Sequence, residues 1–390
     1  MLRILLSPDA PLTTGQLWAT AVNALLSRQR DEGLIYRFDD RADAAAGEIR
    51  EEELRRLLAK FALDSETIVR RSQRRDLYRR LAQGLVDRGR AFAGEDHPGS
   101  LRLRAPEAPV TIADALRGTQ RFSPEAIGEI VLLDADGIPS AEFASAVDDM
   151  LDAVTLAIVP DDTLLPAARQ EHIRRQLGYD EPLGWLHLPR LETDPALENV
   201  LELLEEGYLP DAILNTLLSL GTRPPREVFT FPEAIEWYTP EQLPSDSLRL
   251  ETEQLRTLNR AHLRRMDDKA ISALYGFADA AIGQLIKLYL DEAATIRELD
   301  AHIRPIFAPK PCEGEAAEPM RRLAEAIARM PMLREWPEAE AWLHEQTGLE
   351  GKALDKPLRR LLTGSETGPP LPAIYPSIQS YITEVARCPH

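Results

Sequence analysis

Short apolar runs alternate with stretches of helical spacing through the first half of the chain. Arg3 to Leu6 reads as a buried strand, broken by Pro8 and Pro11. After Gly15, the stretch from Gln16 to Leu26 keeps helical spacing with few breakers. Leu34 to Phe38 fits a second strand ending in Asp39-Asp40, Ile49 to Phe61 an amphipathic helix, and Asp76 to Val86 another, stopped at Arg88-Gly89. This alternation predicts a parallel α/β sheet with crossover helices. From Ala93 to Pro124 the regularity lapses among Pro98, Pro106, Pro109 and several glycines, which predicts a short inserted module. Ile130 to Leu133, Phe143 to Leu151 and Val154 to Val159 then read as strand, helix and strand of a resumed core. From about Asp194 helical signals dominate: Ala196 to Glu206, Asp211 to Leu220, Asp268 to Tyr289, Met320 to Met330 and Glu338 to Thr347. The tail from Lys356 is punctuated by prolines and glycines, and no repeat or low-complexity tract is present.

Composition narrows the class. A chain of 390 residues exceeds one ordinary domain, and 44% hydrophobic with 28% charged residues is a soluble globular balance. No apolar run approaches the roughly 18 residues of a membrane span. Met1 to Pro8 lacks a basic leader and a cleavage site, so it reads as a first strand, not a secretory signal. The net charge of −18 argues against indiscriminate binding to a phosphate backbone, DNA included. Cys312 and Cys388 are far apart and form no CxxC pair, which predicts neither zinc nor a disulfide and suits a reducing cytoplasm. His172, His187, His262, His302 and His344 are scattered without ligand spacing, so no metal site is expected. Trp336 and Trp342, six apart, read as marks of a helical core in preference to a base-stacking platform. Lysine is scarce, with none between Lys60 and Lys269.

The order and spacing of several motifs give a more specific expectation. Arg3 to Arg28 resembles the opening strand, Ser-Pro-Thr-Gly turn and HIGH-type helix start of bacterial glutamyl-tRNA synthetases, class I enzymes. Arg37-Phe38-Asp39-Asp40 is similar to the family's Arg-Ile-Glu-Asp, and Ser72-Gln73-Arg74 through Tyr78 to its Ser-Gln-Arg-x-x-x-Tyr element. Asp136-Gly137-Ile138-Pro139-Ser140 with Val147-Asp148-Asp149 resembles its Asp-Gly-x-Pro-Thr and Val-Val-Asp-Asp block. Gly207-Tyr208-Leu209-Pro210 through Asn215, Leu258-Asn259 with Leu263-Arg264-Arg265, and Lys356-Pro357-Leu358-Arg359 through Gly368-Pro369 continue the likeness to the end of the chain. The resemblance implies a Rossmann-like class I catalytic core (1–92 and 125–192), a shortened connecting insertion (93–124), a helical stem-contact region (193–267) and a helical anticodon-binding-like domain (268–390).

Carried over residue by residue, the same resemblance implies a degenerate active site. Amino-acid activation places cations and strong donors around the phosphates of ATP, where charge builds in the transition state. The HIGH position reads Leu12-Thr13-Thr14-Gly15-Gln16, with Thr13 for the histidine and Trp18 for a basic residue, leaving Thr13, Gly15 and Gln16 as a relict ATP site. The KMSKS-type loop falls on Arg190 to Asn199, which is shorter, has three carboxylates and no lysine, and offers only Arg190 in compensation. The glutamate pocket keeps Arg3, Ser7 and Asp39, but Ala141, Ser145 and Val159 replace its tyrosine, asparagine and substrate-binding arginine. On the residues alone, Arg3 also reads as a strand-end arginine, Asp39-Asp40 as helix caps, and Asp148-Asp149 as acceptors for backbone turns. Arg359, Gly368, Pro369 and Leu371 fall where the family reads the anticodon, a task suited to an arginine beside an unpaired base. The expectation is a synthetase-like protein defective in glutamate activation that binds tRNA or a translation-related partner. The alternatives are an active ligase using ATP and magnesium with glutamate or another amino acid, and an acidic scaffold docking a protein partner.

Overall fold

The computed structural model describes every residue except 8–9, 41–43, 66, 95–98, 161–162, 182 and 389–390, with the backbone alone over 44–49. Pro8 and Pro98, read as breakers from the sequence, lie outside the described residues. The chain forms two compact units: Met1–Leu203 with Ile213–Thr252, and Leu204–Ala212 with Glu253–His390. The stretch 193–267 is therefore shared between them.

In the first unit, β1 (Leu2–Leu6), α1 (Thr14–Arg30), β2 (Leu34–Phe38), α2 (Ala44–Ala59), β3 (Thr67–Arg70) and α3 (Arg75–Asp87) alternate as the apolar runs predict. Next come β4 (Ala91–Ala93), β5 (Leu101–Leu103), β6 (Val110–Asp114), β7 (Gly118–Phe122), α4 (Pro124–Ile127) and β8 (Ile130–Leu133). The core is completed by α5 (Ala141–Leu151), β9 (Leu156–Pro160), α6 (Leu164–Leu177) and β10 (Gly184–Leu188). A seven-stranded sheet runs β3-β2-β1-β9-β10-β6-β7, parallel except for the antiparallel β6–β7 hairpin. Its central strands are buried along nearly their whole length, as helices on both faces of a parallel sheet require. Strand order reverses between β1 and β9, and an open α/β sheet leaves its ligand crevice at the carboxyl ends of such a pair.

The stretch expected to be irregular holds β5, β6 and β7. The buried–exposed alternation of Val110 to Asp114 is a strand signal among the prolines. β8, expected to resume the parallel core, instead pairs antiparallel with β5 in a separate three-stranded sheet, β4-β5-β8. A four-residue apolar run specifies burial but not which sheet it joins. The unit ends with β11 (Leu191–Thr193), α7 (Val200–Glu205), α8 (Pro210–Ser219), α9 (Phe231–Ala234) and β12 (Leu248–Leu250), with β11 and β12 paired in parallel. The helix expected from Ala196 to Glu206 is broken into a 3₁₀ turn led by Pro195 and then α7.

The second unit is helical: α10 (Thr252–Arg265), α11 (Asp268–Ala273), α12 (Ala280–Leu288), α13 (Ile296–Phe307), α14 (Ala317–Arg329), α15 (Trp336–Thr347), α16 (Lys352–Thr363), α17 (Leu371–Ile378) and α18 (Ile382–Val385). Stripes such as Leu354, Leu358, Leu361 and Leu362 on α16 and Met320, Leu323 and Ile327 on α14 build its core. The long helix expected from Asp268 to Tyr289 is two, because Gly276 turns left-handed (φ 81°) and Asp279 caps the restart at Ala281 N. Gly207, at φ 89°, packs so closely that a Cβ would lie 2.6 Å from Ile296 N, while Asn259 accepts from Leu209 N and donates to Ala294 O. Those contacts are the physical content of the Gly-Tyr-Leu-Pro and Leu-Asn motifs.

Cysteine usage was misread. Cys312 and Cys388 form a disulfide, with Cα atoms 5.7 Å apart, because the C-terminal segment folds back and Arg387 O accepts from Lys310 N. Sequence separation carried no information about that return, and the argument for a reducing compartment falls with it. Beside the disulfide, buried Lys310 donates from Nζ to the carbonyls of Val385 and Ile306, and burial lowers its pKa from 10.5 to about 8. The unfolded chain thus binds the extra proton between pH 8 and 10.5, so this group adds stability as pH rises through that window. Urea unfolding at both ends of the window should show a gain, up to about 3 kcal/mol, that Lys310→Met abolishes. An identical pH response in the two proteins would contradict the assignment.

Candidate active site

At the reversal of strand order, α1 begins beside the carboxyl ends of β9 and β10. Thr13, Gly15, Gln16, Pro160, Leu188 and Arg190 wall a cavity of about 460 Å³. That volume lies within the roughly 300–1,000 Å³ range of small-molecule sites. The start of a long helix would ordinarily offer unpaired amides to an anion there.

In this protein most of those amides are already committed, and the Gly15 N–H on the cavity wall is the one at the helix start without an acceptor among the described residues. Thr13 Oγ1 accepts from Gln16 N at 3.2 Å, and Gln16 Oε1 accepts from Thr13 N at 3.0 Å, a reciprocal capping box. Thr14 N donates to Glu198 O at 2.9 Å, and Val200 N to Leu12 O at 3.1 Å. The stretch from Arg190 to Asn199 is thereby built in: it contributes β11, the Pro195 turn and a bridge from Asn199 to Thr13. Arg190 is exposed and is the one cationic side chain lining the cavity among the described residues. Space for a nucleotide is present, but the capped helix start offers its phosphates fewer backbone donors than an uncapped one would. The Thr-x-x-Gln spacing at 13–16 was the sequence signal for this cap.

Of the positions expected to form an amino-acid pocket, three share one small cavity. Asp39, Ala141 and Ser145 are brought together, but the space among them is about 10 Å³. A single water needs roughly 10–15 Å³. Arg71 enters from the turn before α3, donating to Asp39 Oδ1 at 3.0 Å and to the Pro139 carbonyl. Sequence reasoning missed this residue, since nothing in its local pattern marks it. Arg3 is turned away into a two-bond contact with Asp149, at 3.1 and 3.3 Å. Val159 belongs to the apolar core, and neither it nor Ser7 lines the closed pocket.

Asp148 and Asp149 do not serve backbone turns, as one sequence reading held. They accept from arginines. Arg37 donates to Asp149 at 2.7 Å and to Asp152 at 3.1 Å, while Arg74 reaches Asp148 at 2.8 Å and Asp152 at 2.6 Å. The Tyr78 hydroxyl also donates to Asp148 at 2.9 Å. Burial would raise the Asp149 carboxyl, but the guanidiniums of Arg3 and Arg37 hold it below the usual range. At Asp148 burial wins over Arg37 and Arg74, and the carboxyl is raised. Asp40 does cap a turn, accepting from Ser72 N at 2.8 Å.

In the second unit, Arg359, Gly368 and Pro369 come together. Arg359 donates to Pro369 O at 3.0 Å, and Gly368, at φ 122°, lies against the Tyr289 ring. Tyr289 stacks on His302 with centroids 5.1 Å apart. Burial pushes the Tyr289 hydroxyl up to about 12, so it stays neutral near pH 7. Leu371 is instead a core residue at the start of α17. Trp336 packs edge-on against Tyr375. Among the described residues no cluster could hold a metal ion, and no helix is long and apolar enough to cross a membrane.

Removing the Asp149 charge leaves Arg3 and Arg37 buried without it. Asp149→Asn is therefore expected to cost about 3–5 kcal/mol in chemical denaturation, and a loss below about 1 kcal/mol would contradict the network. Comparison with known proteins places this architecture. A family model described as tRNA synthetases class I (E and Q), catalytic domain, matches residues 92–257. Glutamate–tRNA ligase 2 of Sulfurovum sp. is 38% identical over 428 aligned positions, covering 99% of this chain and 100% of the relative. Its counterpart from Sulfurimonas denitrificans is 32% identical, with 99% and 100% coverage. Since 428 positions are aligned to a chain of 390 residues, at least 38 positions of the Sulfurovum protein face gaps. The glutamate tRNA ligase of Elizabethkingia meningosepticum, solved in complex with its amino acid, shares the fold at a TM-score of 0.75 and 20% identity, covering 99% of this chain and 98% of that one. With full-length likeness of this degree and the matching α/β core, the chain belongs to the glutamate–tRNA ligase family of class I aminoacyl-tRNA synthetases.

Proposed function

We propose that this family member does not activate glutamate and acts by holding tRNA. The observation that carries the first half is the closed pocket: about 10 Å³ among Asp39, Ala141 and Ser145, with Arg71 inside it. A glutamate side chain would have to displace the Arg71–Asp39 ion pair to enter it. The capped start of α1 supports the same conclusion for ATP and magnesium, because the amides of Thr13, Thr14 and Gln16 are taken and only that of Gly15 is left at the helix start for a phosphate. In this reading residues 1–92 and 125–192 keep the catalytic-type core as a scaffold, 93–124 is a reduced acceptor-end insertion, and 193–267 contacts the tRNA stem.

The binding half rests on residues 268–390. Arg359 spends one guanidinium nitrogen on Pro369 O, and its other donors have no partner among the described residues. They stand beside Tyr289, whose ring is buried against His302, so the guanidinium is the group left to stack on and hydrogen-bond an unpaired base. On a chain of net charge −18 such a contact must be local, which favours one tRNA feature over a long phosphate track. The tRNA substrate, and not cysteine usage, is the ground for a cytoplasmic location.

The open 460 Å³ cavity favours one second reading, a ligase with altered chemistry. Two measurements on the full chain decide between them. Filter binding with total tRNA should give salt-sensitive retention at micromolar protein, weakened about tenfold by Arg359→Gln. Pyrophosphate exchange with each amino acid, tRNA present, should stay flat. Absence of salt-sensitive binding removes the tRNA reading, and exchange with any amino acid establishes the ligase.

A further inference from the structure

A second built cavity, of about 480 Å³, lies in the first unit where α8 ends, away from the α1 crevice. Its lining includes Thr222, Arg223, Trp237, Thr239 and Gln242, and among the described residues holds no carboxylate, in a chain with 64 acidic residues. A cavity free of carboxylates and carrying a guanidinium selects for an anionic group.

The walls are fixed. Gly221 is left-handed (φ 67°), and a Cβ there would lie 2.8 Å from Pro244 Cδ, so the turn after α8 is pressed onto the 244–248 segment. Trp237 is held by two near-perpendicular aromatic neighbours, Phe229 at 5.0 Å and Tyr238 at 5.7 Å, both buried. Phe229 is itself pinned by a bond from its N–H to Asn215 Oδ1 at 3.0 Å. The indole is thus a rigid plate on the cavity wall.

Three donors there are uncommitted among the described residues. The Trp237 Nε1–H is buried without an acceptor, and such a donor costs about 1–3 kcal/mol unless something satisfies it. Arg223 is exposed and makes no ion pair or hydrogen bond, although most arginines of this protein are paired. The Gln242 side chain is also free. We infer that this cavity binds a nucleoside monophosphate unit, its base on the Trp237 plate and its phosphate on Arg223. Gln242 supplies an edge hydrogen bond to the base, and the Trp237 Nε1–H, in the plane of its ring, is left to a ribose or phosphate oxygen at the edge of the plate. A base on an aromatic plate beside an arginine is how single nucleotides are held in general. No general acid or base lines the cavity, so the site binds without catalysis. The unit is either a free nucleotide or one residue of an RNA strand, and the site stands whether or not the anticodon-like region binds tRNA.

Calorimetric titration of the full-length protein with AMP and with 5′-phosphorylated ApApA tests this. Saturable binding of at least one is expected, weakened about tenfold or more by Arg223→Gln, whose exposed side chain is dispensable for folding. Tighter binding of AMP identifies the free nucleotide, and tighter binding of the trinucleotide identifies RNA. Trp237→Leu should abolish it, and inorganic phosphate should compete poorly. The inference is overturned if neither probe binds, if Arg223→Gln binds as tightly as the natural protein, or if phosphate competes as well as AMP. Loss of binding in Arg190→Gln instead would assign the nucleotide to the α1 crevice and also overturn it.

Discussion

Asp148 and Asp149 are carboxylates on α5 with no exposure to solvent, and the first unit is arranged around keeping them paired. A buried carboxylate is tolerated only with counter-charge and hydrogen bonds at close range. Arg3 comes from β1, Arg37 from β2 and Arg74 from the turn before α3, so one cluster ties two strands and a turn to the same helix. Arginine suits this task, because its planar fork binds two oxygens at once and it keeps its charge when buried. The scarcity of lysine in this half of the chain fits a structure whose cations work inside the protein.

The same pairing determines what the site can do. Arg3, which the family resemblance assigns to substrate, is committed to Asp149. Arg71 then occupies the space beside Asp39 that smaller residues at 141 and 145 leave open. Losing a substrate tyrosine and an arginine would otherwise leave a polar void. The Arg71 guanidinium lies there instead. At the neighbouring crevice the loss of a histidine is answered by the Thr13–Gln16 cap and by Glu198 O on Thr14 N. Both changes satisfy within the protein the groups that a ligand would otherwise have satisfied.

Much of this was legible in the sequence, for identifiable reasons. The runs Leu34 to Phe38 and Arg3 to Leu6 fall within strands β2 and β1 because short apolar stretches bounded by polar residues have few other homes. The substitutions at 13, 141 and 159 could be read because motif order fixed their positions. Pairing could not: Ile130 to Leu133 is as apolar as any core strand yet joins another sheet. The break at Gly276 was hidden inside a stretch of helical composition, and the Cys312–Cys388 contact depends on a chain return that no local pattern encodes. At the site, motif order led only to expectations at positions 13, 141 and 159, whereas Arg71, which pairs with Asp39, comes from an element distant in sequence.

The central claim is that internal ion pairs have taken the place of substrate glutamate. Equilibrium dialysis of the full chain against a non-hydrolysable glutamyl-adenylate analogue tests it most directly, because that ligand needs both cavities at once. The account predicts no saturable binding into the millimolar range. Micromolar binding, weakened by substitutions at Arg3 or Asp39, would contradict it.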